Sequence, residues 1–104
     1  MQFVVIAHDH DDDGARERRI AVRPEHMARC EKMVELGTLL FAVALLNDAE
    51  RMIGSVMVVD LPTRADVEAW LDDEPYKVHD IWRQIDITHG RTGPWFTLPG
   101  SAPG

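Results

Sequence analysis

His26 is the residue of this sequence best suited to move a proton near neutral pH. It lies in the segment from Arg23 to Gly37, RPEHMARCEKMVELG. Pro24 favours the first turn of a helix because its φ is fixed and it has no N–H, and Gly37 can end the helix in the left-handed conformation. The segment therefore predicts a helix with His26 in its first turn. There the positive end of the helix dipole disfavours the protonated imidazole and leaves it able to accept a proton.

Two adjacent carboxylates, Asp73 and Glu74, are the candidate partners of this base. They precede Pro75, which is expected to end a second helix because the residue before a proline avoids the α region. A carboxylate beside His26 would hold one imidazole tautomer and stabilise the protonated ring once it forms. The residues are far apart in the chain, so only the fold can bring them together. The sequence does not choose between the two carboxylates.

Arg23 and Tyr76 are the candidate ligand-binding residues. Arg23 could bind an anionic ligand near the start of the helix or simply face water. Tyr76 could orient a ligand or lie in the core with its hydroxyl hydrated. The apolar side of the predicted helix consists of Met27, Cys30, Met33, Val34 and Leu36. Its position there predicts that Cys30 is a small core residue and not a nucleophile.

An acidic stretch from Asp9 to Gly14 matches the opening of an EF-hand calcium loop. That loop needs a bidentate glutamate at its twelfth position, which here is Ile20. The stretch is therefore predicted to be a solvated loop, to which His8 and His10 could add ligands for an adventitious divalent metal. The sequence contains no glycine-rich phosphate loop and no nucleotide fingerprint, and we predict neither a metal site nor a cofactor.

The composition predicts one globular domain. The chain has 104 residues, of which 45% are hydrophobic, and a formal net charge of −7. A negative net charge argues against binding nucleic acid, which needs a basic surface. No apolar run is long enough to cross a bilayer and no signal-peptide pattern is present, so we expect a cytoplasmic protein with no membrane partner.

The predicted elements follow the order β-α-β-β-α-β. Strands are predicted at residues 2–8, 38–46, 52–60 and 81–87, and helices at residues 23–37 and 63–74, with residues 15–22 as a short helical lead-in. Thr63 and Asp66 form a capping box for the second helix. This order is typical of a ferredoxin-like α+β sandwich, with both helices on one face of an antiparallel sheet. Residues 1–89 form this domain, and residues 90–104 are predicted to be an extended tail rich in glycine and proline.

Apolar residues point to both faces of the strands 3–6 and 39–46. Helices on one face leave the second apolar face uncovered, and a sheet from another subunit is the expected cover. The sequence therefore predicts a homodimer.

Three motifs resemble the YCII-related family of dimeric α+β barrel proteins. The stretch from Arg23 to Arg29 resembles the family's R-P-x-H-L-x-R, the stretch from Glu35 to Leu40 follows it, and the stretch from Asp73 to Val78 resembles the family's D-P-[FY] turn. The resemblance implies a histidine–aspartate pair in a pocket between sheet and helices. In this chain Glu74 precedes the proline, Asp73 comes one residue earlier, and Val43-Ala44 replaces the usual Gly-Pro after the second strand.

Relatives of this type include a dehydrochlorinase and, in the wider superfamily, muconolactone isomerase. The resemblance therefore implies a cofactor-independent lyase or isomerase in which His26 with Asp73 or Glu74 acts on a small aromatic or lactone-like metabolite. A non-catalytic ligand-binding or regulatory dimer of the same fold is the alternative. A cofactor-free monooxygenase is a third possibility.

Overall fold

The computed structural model describes residues 1–96 and contains four strands and three helices. In chain order they are β1 (Gln2–Asp9), α1 (Ala15–Glu35), β2 (Leu39–Leu46), β3 (Met52–Asp60), α2 (Arg64–Asp72), α3 (Pro75–Val78) and β4 (Trp82–Gly90). The strands form one antiparallel sheet in the order β2-β3-β1-β4. The predicted α+β ferredoxin-like fold is confirmed.

The core lies between one face of the sheet and the helices. Phe3, Val5 and Ala7 point to this face from β1, and Val5 stands opposite Met57 of β3. Val67 and Leu71 of α2 pack against them and are almost fully covered. Each large buried aliphatic side chain contributes about 2 kcal/mol to folding, so this layer holds the helices in place.

The first helix is longer than the sequence suggested. It begins at Ala15 and continues through Pro24, so the predicted division into a lead-in and a main helix is wrong. Pro24 has no N–H to donate a hydrogen bond to the carbonyl of Ile20. Because both residues are exposed, water can donate to that carbonyl instead. Gly37 has a φ of +77° and follows the last turn, so the predicted glycine stop is confirmed.

The inner face of α1 carries polar residues, which contradicts the predicted apolar side. Met27, Val34 and Leu36 are exposed, whereas Arg19 and His26 are buried. Val22, Cys30 and Met33 are half-buried on the same inner face. The inward-facing residues still follow helical spacing, but polar or charged residues occupy several of the positions where apolar residues were expected.

The second helix begins as predicted and ends earlier. The hydroxyl of Thr63 accepts a hydrogen bond from the backbone N–H of Asp66 (3.1 Å) and donates one to its carboxylate (2.9 Å). The helix ends at Asp72, and the short α3 starts at Pro75. Glu74 has extended backbone (φ −71°, ψ 123°), as predicted for the residue before Pro75, and it lies between the two helices.

The sheet face opposite the helices is apolar and exposed. Ile6, Phe41 and Val43 keep between a third and slightly more than half of their surface in water. Among residues 1–96 no helix is both long enough and apolar enough to cross a membrane. Residues 97–104 of the predicted tail lie outside the described residues, and the division at residue 89 stays a prediction.

Candidate active site

His26 lies in the middle of α1 on the face that packs against the sheet, and only 9% of its surface is exposed. The prediction that it lies in the first turn is wrong, because the helix begins about three turns earlier, at Ala15. The effect of a helix dipole falls off within the first turn, so the dipole argument does not apply. The side chains around His26 therefore determine what its imidazole can do.

Glu74 is the carboxylate that reaches His26. Its side chain is completely buried, and Nδ1 of His26 forms a short hydrogen bond with its Oε1. Glu74 is also the N-cap of α3, and its Oε1 accepts a hydrogen bond from the backbone N–H of Tyr76 (3.3 Å). Pro75 suits the first position of α3, and the hydrogen bonds with His26, Arg29 and the Tyr76 backbone hold the carboxylate inward.

Asp73, the other candidate partner, is exposed at the C-terminal end of α2. Within residues 1–96 its side chain has no hydrogen bond to another group. The adjacent residues therefore have different environments, and the structure places only Glu74 beside the imidazole.

Arg29 completes this cluster and was missed by the sequence interpretation. Its Nη1 donates to Oε2 of Glu74 (2.8 Å), its Nη2 donates to the carbonyl of Trp70 (2.5 Å), and the guanidinium lies 4.4 Å from the centre of the Trp70 ring. Its position three residues after His26 places both side chains on one helix face, which was the available signal. Two basic residues therefore converge on one carboxylate.

The electrostatic balance at Glu74 favours its ionised form. Burial works to raise the pKa of this carboxyl. The hydrogen bond and charge of a protonated His26, with the hydrogen bonds from Arg29 and the Tyr76 backbone, outweigh burial, so the pKa of Glu74 lies below its ordinary value. A buried carboxylate that stays ionised can hold a proton on the facing nitrogen of an imidazole.

Tyr76 and Cys30 form the remaining contacts of the imidazole. The Tyr76 ring stacks on the His26 ring with centres 4.1 Å apart and an angle of 21°. The Cys30 Sγ lies 3.4 Å from Nε2 of His26. Burial and the nearby Glu74 raise the pKa of the Cys30 thiol to about 11. Cys30 is therefore a neutral thiol in the wall of the site, and it is half-buried where it packs against the core.

A second buried ion pair lies beside this cluster. Nη1 of Arg19 donates to both carboxylate oxygens of Asp9 (2.8 and 3.0 Å), and its Nη2 donates to Oγ of Ser55 (3.0 Å). Burial raises the pKa of Asp9, although Arg19 acts to lower it. The prediction of a solvated loop is wrong at Asp9, because this residue ends β1 and is buried.

A cleft of about 720 Å³ opens between α1 and the strands β2 and β3. Its polar lining includes Arg19, Arg23, His26 and Tyr76. Its apolar lining comes from residues of both walls, among them Met27, Val34, Leu39, Ala42, Ala44 and Met57. Both candidate ligand-binding residues, Arg23 and Tyr76, therefore border the same space as the imidazole.

The groups suited to metal binding are not collected at this site. Within the described residues, no cluster of three or more His, Cys, Asp or Glu side chains has an arrangement that could hold a metal ion. In the acidic stretch Asp12 binds Arg18 through two hydrogen bonds (2.7 and 2.6 Å). Ile20, at the position where an EF-hand needs its glutamate, lies inside α1. The arrangement at the cleft instead suits proton transfer to or from a small molecule.

Comparison with known proteins places these residues in a family context. The YCII-related domain model matches residues 1–91. Protein YciI of Escherichia coli O6:H1 is 29% identical over 93 residues, which cover 84% of this chain and 93% of that protein. Protein YciI of Shigella flexneri has the same identity and coverage.

A solved structure also resembles this chain. It is 5-chloro-2-hydroxyhydroquinone dehydrochlorinase from Burkholderia phenoliruptrix AC1100 in complex with 2,5-dihydroxybenzoquinone. The TM-score is 0.77 at 17% identity, and the match covers 89% of this chain and 96% of the other. A likeness at this identity establishes the shared fold.

Proposed function

This chain belongs to the YCII-related family, and we propose that it is a small-molecule enzyme of the lyase or isomerase class. His26 is the general base and Glu74 is its carboxylate partner. The observation that carries this proposal is the hydrogen bond between Nδ1 of His26 and the buried Glu74 at the edge of an open cleft. Asp73 has no part in it, because its carboxylate is exposed and apart from the imidazole.

We infer a separate role for each imidazole nitrogen from the hydrogen bond between His26 and Glu74. The ionised Glu74 keeps the proton on Nδ1, so Nε2 carries the lone pair that accepts a proton. When Nε2 takes a proton from a carbon acid, the C–H electron pair becomes a carbon–carbon π bond and the adjacent carbonyl becomes an enolate. A lyase then expels a leaving group with its bonding pair, whereas an isomerase returns the proton to another carbon. Neither course requires a cofactor.

Arg29 supports this chemistry by holding Glu74 in place. Because Arg29 binds the second carboxylate oxygen, Glu74 keeps its position and its charge whether the imidazole is neutral or protonated. The bond from Arg29 to the Trp70 carbonyl also ties α1 to α2. The base is thus oriented by groups from three different helices, α1, α2 and α3.

A small ring compound is the proposed substrate. Most of the cleft lining is apolar, and among its polar residues His26 and Arg19 both contact the Tyr76 ring. A cleft of about 720 Å³ accommodates a single-ring metabolite, since small-molecule pockets commonly measure about 300–1,000 Å³. The ring compound named with the similar dehydrochlorinase structure, 2,5-dihydroxybenzoquinone, has this size and character.

The proposed assembly is a homodimer formed through the exposed sheet face. Ile6 of the central strand β1 and the edge residues Phe41 and Val43 give this face an apolar surface that water solvates poorly. A second copy that stacked its own sheet on this face would bury the apolar side chains of both copies. A cytoplasmic location without nucleic acid or membrane partners remains part of the proposal.

A non-catalytic ligand-binding dimer is the second candidate. It is favoured by the burial of His26, whose ring is nine-tenths covered and in contact with the Cys30 thiol at Nε2. In this case the cluster of His26, Glu74 and Arg29 would only hold the helices together. Binding of ring compounds without turnover would distinguish this protein from an enzyme.

The test combines nitrogen NMR with a substrate screen. Imidazole ¹⁵N shifts distinguish the two tautomers, and the chain has five histidines to resolve. The wild type is expected to carry the His26 proton on Nδ1, Glu74→Gln is expected to lose this preference, and Asp73→Asn is expected to keep it. Hydroxylated and halogenated ring compounds and lactones are then screened for conversion.

His79→Gln is the matched control for His26→Gln in that screen. His79 also pairs with a carboxylate, Glu25 (3.2 Å), but on the surface and away from the cleft. His26→Gln is expected to abolish conversion, a loss of about 100-fold or more, and His79→Gln is expected to leave it unchanged. Equal activity of the two variants would exclude His26 as the base.

A further inference from the structure

Two buried donors beside the cleft have no partner within the described residues. They are the hydroxyl of Tyr76 and Nε of Arg19, and both residues line the cleft. A buried polar group without a hydrogen bond is costly, and beside a cleft a bound molecule can supply the missing partner. The two side chains contact each other, because the Arg19 guanidinium lies 4.4 Å from the centre of the Tyr76 ring.

The Tyr76 ring links Arg19 to the proposed base, His26. Arg19 and His26 are seven residues apart on α1, about 10 Å along its axis, and the Tyr76 ring contacts both. A ligand oxygen at the hydroxyl and a ligand carbon at the imidazole can therefore belong to one small ring.

Arg19 and Arg23 act on the Tyr76 phenol from the cleft, whose lining also includes the carboxylate of Glu31. Arg19 is balanced by Asp9, and Arg29 is balanced by Glu74. Arg23 also lines the cleft, and within residues 1–96 it forms no ion pair. Burial raises the pKa of the Tyr76 phenol, against the opposing effects of Arg19 and Arg23. The hydroxyl therefore keeps its proton and acts as a donor.

We propose that the Tyr76 hydroxyl and the Arg23 guanidinium bind an ionised oxygen carried by the ring of the substrate, a phenolate or an enolate. Arg19 is a positioning residue that holds the Tyr76 ring through stacking and is itself fixed by Asp9 and Ser55. This inference rests on the proposed function, for which it names the substrate class. The Tyr76 hydroxyl, which burial holds in place before the charge develops, and the Arg23 guanidinium also stabilise the enolate oxygen that forms when His26 removes a proton.

Binding of a matched pair of ring compounds to the full chain tests the inference. The probes are para-nitrophenol, ionised at mildly alkaline pH, and para-nitroanisole, which has the same ring but a methylated oxygen. The wild type is expected to bind the phenolate about tenfold or more tightly than the ether, since a hydrogen bond to a charged group supplies this much discrimination. A third probe, para-nitrobenzoate, tests whether a carboxylate serves equally; binding as tight as the phenolate would overturn the assignment to a ring oxygen.

Two variants test which residues produce the preference for the phenolate over the ether. Tyr76→Phe removes only the hydroxyl and keeps the ring, and Arg23→Gln changes an exposed residue that the fold does not need. Each is expected to lower phenolate affinity about tenfold and to leave ether affinity unchanged. Arg19→Lys, which keeps the charge beside Asp9 but loses the stacked plane, is expected to weaken phenolate binding less than Tyr76→Phe.

The failure of this inference is distinct from failure of the proposed function. If Tyr76→Phe and Arg23→Gln both retain the wild-type preference for the phenolate, or if the wild type has none, the oxygen site does not exist. If His26→Gln still binds the phenolate selectively but no ring compound is converted by the wild type, the oxygen site stands and the enzyme proposal falls.

Discussion

Replacement of Glu74 by glutamine is the perturbation that bears most directly on this site. The carboxylate is completely buried and is shared by His26 and Arg29, whose own side chain is only 13% exposed. Removal of one member of a buried ion pair costs about 3–5 kcal/mol because it leaves the other charge uncompensated. Glutamine keeps the size of the side chain and one acceptor oxygen, so we expect a loss near the lower end, about 3 kcal/mol.

The adjacent Asp73→Asn is the matched control. Asp73 is exposed at the C-terminal end of α2, where a negative charge is slightly unfavourable, so its removal should change the free energy of unfolding by less than about 0.5 kcal/mol. A loss of about 3 kcal/mol at Glu74 corresponds to a decrease in melting temperature of roughly 12 °C or more for a domain of this size. Circular dichroism melts at one fixed protein concentration measure both variants, since association would make the melting temperature concentration-dependent.

The difference in the free energy of unfolding between wild type and Glu74→Gln should depend on pH, and this dependence is a second check of the prediction. The pKa of Glu74 is lowered in the folded state from its ordinary value of 4.5. Its contribution to stability is therefore complete above that pH and is lost as the pH falls through the folded-state pKa. The gap between wild type and Glu74→Gln should narrow on acidification below about pH 5. The reasoning is refuted if the gap does not change with pH, or if Asp73→Asn destabilises as much as Glu74→Gln.

Two further predictions concern the thiol and the outer sheet face. Because the pKa of Cys30 is raised to about 11, roughly one thiol in a thousand is ionised at pH 8, and an aromatic disulfide reagent should label native protein slowly and unfolded protein quickly. Fast labelling of the native protein would contradict the assigned environment. The proposed dimer should dissociate in Ile6→Lys, which places a charge at the centre of the exposed apolar face. Light scattering after gel filtration should give the mass of a monomer, and the circular dichroism spectrum should be unchanged. A variant that is still a dimer would show that the interface does not include this sheet face.

Local sequence signals were sufficient to predict the strands and helices and several of the residues at which they end. Alternating and continuous apolar runs located all four strands, and Thr63 and Gly37 marked helix ends where the structure has them. These signals depend on neighbouring residues only, through side-chain periodicity, capping hydrogen bonds and the conformational freedom of glycine. The proline rule failed at Pro24, because packing on both sides of it outweighs one missing hydrogen bond.

The sequence by itself determined the fold class and the chemical inventory of the site: a histidine, two adjacent carboxylates, an arginine and a tyrosine near predicted helix ends. Only the tertiary structure decided that Glu74 and not Asp73 reaches His26, that Arg29 shares this carboxylate, and that Arg19 and Asp9 form a buried pair. The physical reason is that burial of a charge depends on a compensating partner. Here those partners come from distant segments of the chain, and hydrophobic periodicity along one helix cannot detect them.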